Sequence, residues 1–155
     1  MIRFWTASVQ ARANEQCIPG LGFALMNIKS LLIVTALVEV GTGIALLVAP
    51  SVTVELLLGA GLASLQSLLL GRVAGAALIS IGVTCWLARE GESTTQTALV
   101  PALLIYNVAV PVLLIYAAIA FELRGILVWP ASISHVILAI WCVTCLRGMQ
   151  ENKHL

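Results

Sequence analysis

Glu39 stands near the middle of LLIVTALVEVGTGIALLVA, residues 31–49, a run with no other charge. A carboxylate at the centre of a hydrocarbon-spanning helix costs about 2.5–3.5 kcal/mol on insertion scales, so as a rule it faces inward and is put to use. Two other polar side chains, Asn107 and His135, lie inside similar apolar runs. At the rise of an α-helix, Glu39 comes to about 12 Å from the inner edge of its run and Asn107 to about 13–14 Å from that edge. His135, counted from the outer edge of its own run, also reaches the middle. Three helices therefore offer a polar group at one level, suited to holding a proton, a small cation or the polar head of a ligand.

Helical spacing supplies neighbours for these groups. Thr35, Glu39, Thr42 and Gly43 share a face in the first run, and Ser132, His135, Ala139 and Cys142 share one in the last. A polar stripe flanked by small residues is the pattern of an inward face. In the third run Pro111 removes the donor that would meet the carbonyl of Asn107, so a free carbonyl and a side-chain amide fall together at the midplane. The alternative for Asn107 is a kinked helix whose amide only satisfies its neighbours. For Glu39 it is a neutral acid hydrogen-bonded within the bundle, and for His135 a bundle histidine with no ligand.

Arg72 admits two placements. Counted from Leu68 it is about 6 Å below the outer surface, and helical side chains lean toward their own N-terminus, which favours snorkelling outward. A pair with Glu39 requires the second helix to begin near Ser64. Cys142 and Cys145 form a CxxC, joined by Cys85 and Cys17 near the same side. Facing a reducing compartment, these thiols read as small apolar side chains. No metal or cofactor is expected, since no second intramembrane histidine and no metal-ligand spacing accompany His135.

The elements that must position these groups are four apolar runs, Leu31–Ala49, Leu68–Ala88, Ala98–Phe121 and Ile126–Leu146. About 20 helical residues cross the roughly 30 Å hydrocarbon core, and the runs lack the alternation of barrel strands. With 61% hydrophobic and 10% charged residues and a mean hydropathy of +1.06, the chain is outside the range of soluble domains. A net charge of +1 leaves no basic face for nucleic acid. The expected fold is all-α, a four-helix transmembrane bundle with a short interfacial helix between the first and second spans. Residues 1–28 form an N-terminal cytoplasmic tail, 29–147 the transmembrane domain and 148–155 a C-terminal tail. The stretch Ile18–Met26 is apolar but lacks the cleavage pattern of a signal peptide.

Charge sets the orientation. Arg3, Arg12, Lys29, Arg89, Arg147 and Lys153 fall on one side, while Arg72 and Arg124 fall on the other. The positive-inside rule puts both termini in the cytoplasm of a bacterial inner-membrane protein. Trp86, Tyr116 and Trp129 fit the interfacial belts. Gly71 and Gly75 form GxxxG, and Gly41, Ala45 and Ala49 a second small-residue ridge, either of which lets helix backbones approach closely.

The segment LLLGRVAGAALISIGVTCWLAR, residues 68–89, resembles the small bacterial four-helix membrane proteins called DoxX-like. That resemblance implies a partner-bound role, because some members are accessory subunits of quinone-linked oxidoreductases. It carries over no catalytic residue. The leading expectation is a non-enzymatic accessory or scaffold subunit, with the lipid bilayer and other membrane subunits or further copies of the chain as partners. The second is a small proton-linked or solute transporter built on Glu39, Asn107 and His135. The third is a quinone-binding redox accessory protein.

Overall fold

The computed structural model describes residues 19–151. Five helices follow one another: α1 (Pro19–Val48), α2 (Pro50–Leu58), α3 (Leu65–Ala88), α4 (Ser93–Ala120) and α5 (Val128–Glu151). All but α2 are long and apolar enough to cross a membrane, over Ile28–Val48, Leu65–Ala88, Thr94–Ala120 and Val128–Gln150. Their directions alternate, so this is a four-helix transmembrane bundle of up-down topology, in which helical hydrogen bonding satisfies the backbone in the interior of each span. Arg3, Arg12, Cys17 and Lys153 lie outside the described residues. Helix α1 begins well before Lys29, within the segment read as a tail, and α5 continues past Leu146 to Glu151.

The packing is uneven. Helix α1 lies along α3, α4 lies along α5, and α1 joins the two pairs chiefly through α5, whereas α3 and α4 barely meet. The α1–α3 contact is made by glycines. A Cβ on Gly43 would lie 2.6 Å from the Gly75 carbonyl oxygen, and one on Gly75 would lie 2.7 Å from the Gly43 carbonyl oxygen. One on Gly82 would lie 2.7 Å from Val40 Cγ2 and 3.0 Å from the Ala36 oxygen. Without a hydrophobic drive between helices in lipid, such backbone-on-backbone approach is what holds them together. Gly41 takes no part in this contact: a Cβ there would meet nothing within 4 Å. The ridge that mates with α3 passes through Gly43, about 160° around α1 from Gly41 at 100° per residue. Gly71 instead receives Leu62 and Pro50, at 3.0 and 3.1 Å from an added Cβ, and so packs on the connection between α1 and α3.

Helix α2 closes the end of the bundle opposite the α3–α4 loop. Pro50 supplies its first turn, where a missing N–H is harmless, and Gly59 ends it at φ 79° with its N–H on the Glu55 oxygen at 2.7 Å. The α4–α5 turn docks on it: the Leu127 N–H donates to the Leu56 oxygen at 2.9 Å, and a Cβ on Gly125 would run into Leu56 and Leu57 backbone. Ser51 ties in the following loop, accepting from the Leu62 N–H at 3.0 Å. Helix α3 then starts on a capping box between Ser64 and Ser67.

At the other end Lys29 Nζ lies 2.9 Å from Glu90 Oε1, linking α1 to the turn that follows α3, and Arg89 stacks over Trp86 at 3.6 Å. The Lys29 ammonium, by hydrogen bond and by charge, holds the exposed Glu90 carboxyl below the usual carboxylate range. Gln96 Nε2 donates to the Arg89 oxygen at 2.9 Å, fixing the short α3–α4 loop.

Candidate functional site

The core common to α1, α3, α4 and α5 occupies the half of the bundle near this loop. Ile28, Leu31, Leu32 and Ala36 of α1 meet Cys85 and Ala88 of α3, Val100 and Leu103 of α4, and Leu138, Cys142 and Cys145 of α5. The three cysteines are free thiols inside this apolar cluster. Among the described residues no group of three or more His, Cys, Asp or Glu side chains is placed to hold a metal ion.

Glu39 lies at the edge of that core farther from the α3–α4 loop and is 2% exposed. Its Oε2 accepts a hydrogen bond from the Tyr106 hydroxyl of α4 at 2.9 Å. Among the described residues its buried Oε1 has no partner, and neither has the hydroxyl of Thr35, one turn nearer the loop and 0% exposed. On a helix, residues four apart stack on one face. Two unpartnered oxygens thus occupy one inward strip of α1, in a setting where a buried polar group without a partner costs about 1–3 kcal/mol.

A second polar pair lies beside the first. Asn107 is 0% exposed; its Nδ2 donates to the Leu103 oxygen at 2.8 Å, and its Oδ1 lies 2.8 Å from His135 Nδ1. Because Nδ2 is committed to a carbonyl, Oδ1 must accept, and the proton of the pair sits on His135 Nδ1. The His135 ring meets Tyr106 edge-on, with centroids 5.6 Å apart. Glu39–Tyr106 and His135–Asn107 are therefore two bonded pairs joined by one aromatic contact, with no direct bond between Glu39 and Asn107. The Pro111-freed carbonyl of Asn107 is not the acceptor of its own amide, which turns back to Leu103 instead.

Glu39, Asn107 and His135 are thus brought to one level, as their depths imply. Thr42 and Arg72 are not. Thr42 is exposed, because beyond Glu39 the only buried α1 residue is Gly43, on the edge facing α3. Arg72 is exposed too, although α3 does begin at Leu65 behind Ser64, the condition for a pair with Glu39. Gly71 and Gly75 take up the inner faces of α3 and leave Arg72 turned away from the bundle. Tyr106 is the functional residue that spacing alone did not single out. Its signal was a phenol in the interior of an apolar run, away from both interfacial belts, where the hydroxyl needs a partner. Replacing Tyr106 by Phe leaves Glu39 Oε2 without its donor; we expect a loss of about 1–3 kcal/mol, read as a lowered unfolding midpoint in detergent.

An apolar pocket of about 280 Å³ opens between α3 and α4, lined by Ser80, Ile81, Thr84, Cys85, Leu99, Ala102, Leu103 and Tyr106. It exists because these two helices hardly touch, and Tyr106 connects its wall to Glu39. The class defined by this fold and site is a polytopic α-helical membrane protein with a buried carboxyl–phenol pair beside a histidine–amide pair. No family model, no curated protein and no solved structure matches the chain.

Proposed function

We propose that the protein is a membrane-embedded binding protein, not an enzyme, whose bundle centre takes up a proton or a small hydrogen-bond donor at Glu39. The observation that carries this reading is the buried, unpartnered Glu39 Oε1, with the equally unpartnered Thr35 hydroxyl one turn away. A buried acceptor that the described residues leave unsatisfied calls for a donor from elsewhere, and we take that donor to be a ligand or a proton from outside the chain. Tyr106 orients the carboxyl by holding Oε2, and the His135–Asn107 pair supplies a second group able to exchange a proton next to it. A proton-linked carrier is the role to which such a centre is suited.

The accessory-subunit reading rests on the DoxX-like pattern of residues 68–89. Purification in a mild detergent separates the two. The binding protein is expected as a monodisperse species of this chain alone, whereas a stable stoichiometric partner would favour the accessory role.

The same proposal places the protein in a bacterial inner membrane with both termini in the cytoplasm, as the Lys and Arg distribution favours. A cysteine introduced at Glu92, in the α3–α4 loop, is then expected to react with a membrane-impermeant maleimide only after the cells are opened. Labelling of intact spheroplasts would reverse the orientation.

A further inference from the structure

The wall of the pocket between α3 and α4 is almost entirely apolar, and its few hydroxyl groups share one property. Three hydroxyl residues line it, and each has its single hydrogen already committed. Ser80 Oγ donates to the Ala76 oxygen at 2.9 Å, Thr84 Oγ1 to the Ser80 oxygen at 2.8 Å, and Tyr106 Oη to Glu39 Oε2 at 2.9 Å. What these groups have left is lone pairs. Among the described residues no charged side chain lines the pocket, and Ser80, Thr84 and Ala102 at its mouth are exposed on the surface of the membrane spans.

We propose that this pocket binds a neutral, lipid-soluble alcohol that enters sideways from the bilayer and donates its hydroxyl hydrogen to the lining oxygens, Tyr106 Oη foremost. The inference goes beyond the reading of Glu39 Oε1 as an acceptor: it names a ligand class and a route for the pocket that Tyr106 lines, the same Tyr106 whose hydroxyl bonds Glu39 Oε2. A hydroxyl bound there extends a chain of donors, from ligand to Tyr106 to Glu39, in which each bond polarises the next. The head must be a donor because the lining offers acceptors. It must be neutral because a cation would leave water for a wall without a countercharge. Its size is bounded as well: an apolar cavity of about 150 Å³ takes up benzene, so this pocket holds a substituted ring or a short chain while the rest of an amphiphile stays in lipid.

The test uses the full chain in phosphatidylcholine vesicles with dodecanol carrying a diazirine on its chain, its methyl ether, and dodecylammonium as a competitor. The alcohol is expected to label the segments 80–85 and 99–106 with about threefold to tenfold higher apparent affinity than the ether, the value of one hydrogen bond. Tyr106→Phe should bring the alcohol down to the level of the ether, and Ala102→Trp, at the exposed mouth, should abolish labelling by both. Equal labelling by alcohol and ether in the unaltered protein overturns the proposal, and that comparison needs no variant to fold. Stronger competition by dodecylammonium than by unlabelled dodecanol also overturns it. Failure here leaves the Glu39 reading standing if the Glu39 carboxyl still exchanges its proton with water, since that measurement involves no alcohol.

Discussion

Gly75→Leu is expected to abolish the folded bundle. The new Cβ would lie 2.7 Å from the Gly43 carbonyl oxygen and 3.0 Å from both Leu46 Cβ and Leu47 N, so what it strikes is mainly backbone, which no rotamer change relieves. Overpacking a close-packed site costs about 1–3 kcal/mol where side chains can give way, and more where they cannot. Leucine is a good helix former, so the effect is not one of propensity. The control is Gly41→Leu on the same α1 that Gly75 packs against, where nothing lies within 4 Å of the added Cβ. That variant is expected to gain up to about 1 kcal/mol from helix propensity. Thermal unfolding followed by size-exclusion chromatography in detergent reads both. Equal tolerance of the two would mean that α1 and α3 do not meet at Gly43 and Gly75.

Glu39→Lys should be nearly as damaging, and Glu39→Gln mild. The side chain is 2% exposed, with a hydroxyl donor on one oxygen and no cation beside it. Glutamine keeps the shape and a carbonyl oxygen for Tyr106. Lysine removes that acceptor and places an ammonium where no carboxylate answers it, a cost of at least several kcal/mol for a buried, unpaired charge. We expect Glu39→Lys to yield little monodisperse protein and Glu39→Gln to behave nearly as the unaltered chain in the same assay. Equal behaviour of the two would put Glu39 in water or among headgroups.

The architecture was legible because the bilayer imposes a length. Runs of about 20 apolar residues have one reading, and counting along them brought Glu39, Asn107 and His135 to one level before any packing was known. Rotation and pairing were less legible, because they depend on which helices touch. Thr42 lies on the stripe of Thr35 and Glu39, yet the shared core ends at Glu39 and leaves it exposed. Gly41 and Gly43 are equally small, but only one faces α3. The ends of α1 and α5 ran past the apolar runs because a helix continues beyond the hydrocarbon as long as nothing stops it. Tyr106 escaped notice because aromatic residues in a span are common at its edges, and its importance lies in a partner 67 residues away in sequence.

The central claim is that Glu39 Oε1 receives a hydrogen from outside the chain. Infrared difference spectroscopy of the protein in vesicles, with the carboxyl band assigned by its loss in Glu39→Gln, tests it directly. The account predicts that this band shifts on transfer to D2O within the time of mixing and changes amplitude as the pH is varied. A Glu39 band that neither exchanges in D2O nor responds to pH would show a sealed structural group and contradict the account.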